Sequence, residues 1–132
     1  MKIVIDTNIF VSSFFWGGYP REVFERVING LDELFITDEV LIEIKSVMSS
    51  NKFSVNRGEI EDYVKIIEKY STKIISKKIS ASISRDVDDD KILQCGLDGN
   101  VDFIITGDND LLVLKDYENI RIMKPREYIG NL

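Results

Sequence analysis

The sequence predicts one α/β domain over residues 1–132, with a central and mainly parallel sheet. Two near-continuous apolar runs, Lys2–Ile5 and Asp102–Thr106, are typical of parallel strands that are buried on both faces. Helical patterns alternate with these and other candidate strands, which is the order expected of an α/β fold. No repeat, low-complexity tract or linker indicates a second domain.

The first half of the chain supplies the strand of Lys2–Ile5 and further elements in alternation. An apolar run from Ile9 ends at Gly17-Gly18, and a helix is predicted from Pro20, which suits the first helical position, to Gly30. Leu34–Ile36 is typical of a second short strand. Thr37 suits the N-cap of the next helix. The apolar stripe of that helix has Glu43 at its edge and consists of Val40, Leu41, Ile44, Val47 and Met48.

The second half continues the alternation. An amphipathic helix around Ile60–Ile67 precedes a strand near Ile74–Ile75, and the alternating residues 79–83 receive no assignment. Asp88 or Asp89 is predicted to cap a helix that ends near Gly99. After the strand of Asp102–Thr106, the remaining elements are a turn and short helix over Gly107–Leu114, a strand over Ile120–Met123 and a helical turn after Lys124-Pro125.

Composition excludes several kinds of chemistry. The chain has no histidine, so Ser-His-Asp catalysis, His-ligated zinc and a histidine base are ruled out. Cys95 is the only cysteine, which excludes an intrachain disulfide and a multi-thiolate zinc site. No apolar run approaches the roughly 18 residues that span a bilayer, so we expect a cytoplasmic protein without a membrane partner. Catalysis would depend on carboxylates, hydroxyls, lysine or a metal ion.

Acidic residues follow the predicted strands where a parallel sheet would bring them together. Asp6 follows the first strand, Asp108 follows Thr106-Gly107, and Asp88–Asp90 open a helix. Each feature alone has an ordinary explanation as a turn or a helix cap. Four acids within Asp86–Asp90, however, repel one another unless a cation lies among them. Their joint occurrence predicts a site for a hard cation such as Mg²⁺ at the carboxyl edge of the sheet.

Other residues carry weaker signals. Glu43 alone is typical of a solvated helix surface, although its place at the edge of the stripe permits it to lean inward. Trp16 and the nearby phenylalanines are predicted to be core, not a platform for stacking bases. The net charge of −6 disfavours a nucleic-acid partner, but acids gathered around a metal are neutralised, and basic side chains elsewhere can still form a local patch.

With these segments in view, the chain resembles the PIN-domain family of metal-dependent ribonucleases, and within it the toxin components of toxin–antitoxin pairs related to VapC-like toxins. The matching segments run in the family's order along nearly the whole chain: Val4–Asn8, Leu41–Met48, Asp86–Gly96 and Asp102–Leu112. The resemblance implies a three-layer α/β/α, PIN-like fold with a sheet of about four to five strands. Val87 stands where this branch often has proline, and Gly96 where alanine is usual.

The resemblance also implies a site. Asp6, Glu43, Asp89 and Asp108 would be the catalytic acids, and the metal would be held by Asp6, Asp89, Asp108 and the accessory Asp110. Asp88 and Asp90 are close rivals of Asp89. Thr7, Asn8 and Thr106 would orient ligands or water. One or two Mg²⁺ or Mn²⁺ ions would serve the hydrolysis of RNA, and an antitoxin and a homodimer are the implied partners.

Three other functions compete with the ribonuclease. A receiver-like phosphorylation domain needs an acceptor aspartate after a middle strand, whereas Ile36 is followed by Thr37-Asp38 at a helix start. A small phosphatase of the class with two aspartates after the first strand would need an acid at Asn8. A catalytically silent PIN-like binding module is disfavoured because all four implied acids are present.

Overall fold

A computed structural model of the protein describes residues 1–50, 53–75 and 87–132, with the backbone alone for residues 87–90. Its strands are β1 (Lys2–Ile5), β2 (Glu33–Ile36), β3 (Ser71–Lys73), β4 (Phe103–Ile105), β5 (Asp116–Tyr117) and β6 (Ile120–Met123). Its helices are α1 (Thr7–Phe15), α2 (Gly18–Ile28), α3 (Asp38–Met48), α4 (Arg57–Tyr70), α5 (Val87–Gly99), α6 (Asn109–Leu112) and α7 (Pro125–Gly130).

The strands form one sheet in the order β3-β2-β1-β4-β6-β5. Every pairing is parallel except that of β5 with β6, which confirms the predicted mainly parallel sheet. The chain moves outward from β1 to β2 and β3, then returns through α5 to β4 on the other side of β1. The connections therefore change direction between β1 and β4. In open α/β sheets, ligands bind outside the carboxyl ends of the strands at such a switch point.

Helices cover the sheet and bury its apolar strands. Helix α1 packs on both α2 and α3, α3 packs on α4, α7 packs on α2, and α5 lies on β1, β2 and β4. Ile3, Ile104 and Ile105 are fully buried at the centre of the sheet. A Cβ atom on Gly96 would lie 2.9 Å from Cδ1 of Ile104, so glycine lets α5 approach β4 more closely than alanine would.

The predicted elements are present, with local differences. The strand expected near Ile74–Ile75 lies earlier, at Ser71–Lys73, and the apolar run after Asp6 is the helix α1. Helix α5 begins at Val87, so Asp88 and Asp89 lie within its first turn and do not cap it. The sheet gains a sixth strand, β5, which is only two residues long. The unassigned residues 79–83 lie outside the described part of the chain.

Two further findings concern exposure. Trp16 was predicted to be core, but it is 70% exposed because α1 ends at Phe15 and the chain then turns away through Gly17. Within the ranges that the structure describes, no helix combines the length and apolarity needed to cross a membrane.

Candidate functional site

Asp6 lies at the carboxyl end of β1 and begins α1 as its N-cap. The backbone N–H of Thr7 donates to its Oδ1 at 2.7 Å, and the Thr106 hydroxyl donates to its Oδ2 at 2.6 Å. The residue is 6% exposed. Both carboxylate oxygens are thus fixed in orientation, and each keeps a lone pair for another ligand.

Thr106 connects Asp6 to the turn after β4. Besides donating to Asp6, its hydroxyl oxygen accepts the backbone N–H of Asp108 at 3.0 Å. Asp108 in turn caps α6 by accepting the N–H of Asp110 at 2.9 Å. Since β1 and β4 are neighbouring parallel strands, one hydroxyl holds both strand ends in register at the switch point of the sheet.

Glu43 reaches the same edge of the sheet from α3. Its Oε2 lies 3.6 Å from the Nζ of Lys91 on α5, and its side chain is 21% exposed. The inward lean that its stripe-edge position permitted is therefore present. Sequence reasoning did not single out Lys91, although its position directly after the acidic run of Asp88–Asp90 could have distinguished it.

The surroundings of Asp6 disfavour the charged form of its carboxyl group. Burial raises the pKa of Asp6 to about 6, although the hydrogen bonds from Thr106 and Thr7 act in the opposite direction. The negative charges of Glu43 and Asp108 raise this pKa further, which places both acids near Asp6. No ion pair joins Asp6 to a basic side chain within the described residues.

The remaining predicted site residues are only partly brought together. Thr7 is 2% exposed, and its hydroxyl has no hydrogen-bond partner in the described part of the chain. Asn8 is exposed, and Asp110 lies in the first turn of the short helix α6, which Asp108 caps. The backbone places Asp88, Asp89 and Asp90 in the first turn of α5, while their side chains lie outside the description.

The donor set fits a hard cation. Asp6, Asp108 and Glu43 offer carboxylate oxygens, which are the ligands that Mg²⁺ prefers, and the backbone of Asp88–Asp90 lies in the first turn of α5. Among residues whose side chains are described, no three potential ligands are close enough to hold an ion by themselves. A complete site would therefore need an acid from Asp88–Asp90.

Comparisons with known proteins agree with this fold. The family model for the PIN domain matches residues 2–110. The uncharacterized protein MJ1680 of Methanocaldococcus jannaschii is 27% identical over 98% of this chain and 90% of its own length. A chain in the crystal structure of VapBC2 from Rickettsia felis, bound to a DNA fragment from their promoter, is similar in fold, with a TM-score of 0.64 and 16% identity. That match covers 92% of this chain and 97% of the other.

Proposed function

The chain belongs to the PIN domain family, and we propose that it is a metal-dependent ribonuclease that hydrolyses RNA phosphodiester bonds. One observation carries the proposal. Asp6 is a buried carboxylate at the switch point of the sheet, fixed by two hydrogen bonds and repelled by two neighbouring acids. A divalent cation would remove that repulsion and stabilise the ionised form of Asp6.

The proposed chemistry divides between the metal and the chain. One or two Mg²⁺ or Mn²⁺ ions, when bound, would lower the pKa of a water and neutralise charge on the scissile phosphate. Asp6, Asp108 and an acid from the first turn of α5, which the family resemblance assigns to Asp89, would hold the ion. Asp110, Asp88 and Asp90 would contribute further negative charge. Thr106 would keep Asp6 and the Asp108 backbone in fixed positions, which avoids reorganisation during the reaction.

Glu43 would take part in the proposed site in a different way from the aspartates. In the described arrangement its carboxylate faces Lys91, so its charge is partly balanced. Near a bound ion it would orient the attacking water or add a ligand. The Thr7 hydroxyl, buried beside Asp6 and without a described partner, would donate to a water or phosphate oxygen in the site, and the exposed Asn8 would do so at its rim.

The PIN domain match and the similar VapBC2 structure support a proposal for the biological setting. We propose a cytoplasmic toxin of a toxin–antitoxin pair, consisting of one domain, with an antitoxin protein as partner and a homodimer as the assembly. The similarity in fold to a chain of VapBC2 from Rickettsia felis supports this setting for the present chain.

The strand order separates this function from a receiver-like domain. Receiver-type sheets of the flavodoxin-like class follow the order 2-1-3-4-5, whereas the parallel strands here follow β3-β2-β1-β4-β6. The strand order therefore favours the ribonuclease over the receiver-like alternative. A silent PIN-like binding module shares the fold, and it is distinguished by the experiment that follows.

The decisive experiment is RNA cleavage with and without Mn²⁺ by the wild type, Asp6→Asn and Asp89→Asn. We expect metal-dependent cleavage by the wild type and a loss of at least about 100-fold in both variants, because each removes a carboxylate from the ion. Asp62→Asn, an exposed position on α4, is the matched control and should cleave normally. Cleavage that needs no metal, or full activity in both site variants, would refute the mechanism; a folded but inactive wild type would favour the binding module.

A further inference from the structure

A basic groove lies next to the candidate site, on the side of the sheet that ends with β6 and β5. It has a volume of about 670 Å³ and is formed by α6, the β5–β6 hairpin and the start of α7. Its polar lining consists mainly of Asn109, Lys115, Arg121, Lys124 and Glu127. The groove is thus bounded by residues that the proposed metal chemistry does not use.

The charge of the groove is opposite to that of the protein. Lys115, Arg121 and Lys124 are all exposed, against the single acid Glu127, while the whole chain carries −6. Within the described residues, none of the three cations pairs with a carboxylate. The groove therefore holds three cations that form no ion pair with a described acid, an arrangement that suits a polyanion.

The groove adjoins the acidic edge of the sheet. Ile105 of β4 is in register with Met123 of β6, and the N–H of Thr106 donates to the Met123 carbonyl at 3.0 Å. Lys124 therefore leaves β6 at the same edge where Asp6 leaves β1, two strands or about 10 Å away. Asn109, which lines the groove, follows Asp108 directly. A chain of phosphates could run from the acids into the groove without a break.

Lys115 has an unusual backbone conformation for its side chain. Its φ of 62° lies in the left-handed region, which lysine adopts less readily than glycine or asparagine. The carbonyl of Lys115 accepts the N–H of Ile122 at 2.9 Å, so the conformation is built into the contact with β6. A lysine at a position better suited to glycine is consistent with a role for its charged side chain.

We propose that this groove binds the backbone of single-stranded RNA on one side of the scissile phosphate, with Lys115, Arg121 and Lys124 contacting phosphates. This inference rests on the proposed ribonuclease function, because it assigns the groove to the same substrate. The contacts are to phosphates and so carry affinity and direction of the strand, not base sequence.

The test compares two triple variants of the full chain. The groove variant is Lys115→Gln, Arg121→Gln and Lys124→Gln. The control variant is Arg57→Gln, Lys65→Gln and Lys69→Gln, which removes three exposed cations from α4, next to β3 at the opposite edge of the sheet. The two variants have equal net charge, so a difference between them reports position alone.

Binding is measured first, in EDTA, with a fluorescent single-stranded RNA of about 12 nucleotides, a length that several phosphate contacts can span. For the groove variant we expect an affinity at least about tenfold weaker, and a slope of log K against log salt that is smaller by about 2, since three contacts are lost. The control variant should bind within about twofold of the wild type. Equal losses in both variants, or none in the groove variant, would overturn the proposal.

Catalysis and stability provide the second readout. In Mn²⁺, the ratio of kcat/KM on RNA to kcat/KM on bis(p-nitrophenyl) phosphate should fall about tenfold in the groove variant, because the small diester does not reach the groove. Lys115→Asn should weaken RNA binding without lowering Tm, because asparagine tolerates the left-handed backbone. A lower Tm with unchanged binding would overturn the role of Lys115.

Two outcomes separate this inference from related failures. If the wild type hydrolyses neither substrate, the ribonuclease proposal fails, while the EDTA binding assay still reports on the groove. If the groove variant keeps its affinity for RNA but loses affinity for poly-L-glutamate, the groove binds an acidic polypeptide, and the RNA assignment is overturned.

Discussion

Two buried aspartates lie at opposite edges of the same sheet, and their charges are stabilised in different ways. Asp6 follows β1 at the carboxyl edge, whereas Asp32 precedes β2 at the amino edge. Arg26 donates to both oxygens of Asp32, at 2.8 Å through Nε and 3.4 Å through Nη2. Burial would raise the pKa of Asp32, but the hydrogen bonds and charge of Arg26, together with Tyr128 and the N-terminal ammonium 3.4 Å away, outweigh it and the pKa is lowered.

The difference is the one expected between a structural carboxylate and the proposed metal-binding one. Asp32 is stabilised by a cation that belongs to the fold, so its charge contributes to stability. Asp6 is stabilised by hydrogen bonds alone among the described residues, and burial leaves its pKa at about 6. A buried acid without a cation lowers the stability of the metal-free protein. This cost is expected if Asp6 serves to bind a metal ion.

The largest expected effect comes from breaking the Asp32 pair. Arg26→Met leaves Asp32 ionised and buried, and it should lower the free energy of unfolding at pH 7 by about 2–3 kcal/mol, somewhat less than for a fully buried pair because Arg26 is partly exposed. Urea denaturation measures the change. Adding Asp32→Asn to Arg26→Met should restore much of the loss; a double variant as unstable as the single would show that the charge of Asp32 is not the cause.

The same kind of change at Asp6 should have the opposite sign. Asp6→Asn removes an ionised carboxylate that burial disfavours, and asparagine is an equally good N-cap. Its pKa of about 6 against an ordinary 3.8 corresponds to at most about 3 kcal/mol. We therefore expect the metal-free variant to be more stable than the wild type by about 1–3 kcal/mol at pH 7, measured by urea denaturation in EDTA.

The pH dependence gives the control for that prediction. A carboxyl whose pKa is raised in the folded state binds more protons folded than unfolded, so its contribution falls as pH rises from about 4 to 6. The advantage of Asp6→Asn should accordingly appear over that window and vanish below it. Asp32, with its lowered pKa, contributes in the other direction, and its stabilisation is lost as pH falls below about 4. A pH-independent advantage would contradict the assignment to Asp6.

A smaller effect should follow from supplying the cation. Mg²⁺ at ten times its Kd should raise the free energy of unfolding of the wild type by about 1.4 kcal/mol through mass action. Differential scanning calorimetry with and without Mg²⁺ tests this as a rise in Tm. Asp6→Asn should respond less, and Arg26→Met should respond like the wild type because it leaves the acidic edge intact. Equal responses of wild type and Asp6→Asn would place the ion elsewhere.

The sequence was sufficient for the parallel strands and for the acids that follow them. The shared edge of Asp6 and Asp108 could be predicted because apolar runs show where the strands end, and parallel pairing brings those ends to one edge of the sheet. Which acid of Asp88–Asp90 completes the site stays a prediction.

The predictions that failed, and the contacts that were missed, depend on how the chain turns and packs in three dimensions. The Asp32–Arg26 pair forms across the turn at Gly30, and neither residue has a local pattern that distinguishes it from surface charge. Trp16 was assigned to the core from its apolar neighbours, but the end of α1 directs it to solvent. The link from Thr106 to Asp6 spans one hundred residues and needs the register of β1 with β4.

The smallest expected effect concerns the hydrogen bond from Thr106 to Asp6. The hydroxyl of Thr106 lowers the pKa of Asp6, so Thr106→Val should move this pKa further above 6, by less than about one unit because a single hydrogen bond is lost. Thr106→Ser keeps the hydroxyl and should restore the wild-type value. Carboxyl ¹³C chemical shifts of Asp6, followed by NMR against pH in EDTA, measure it directly. If Thr106→Val leaves the pKa of Asp6 unchanged, or if serine shifts it as far as valine does, the hydroxyl does not hold the charge of Asp6 in place for a metal.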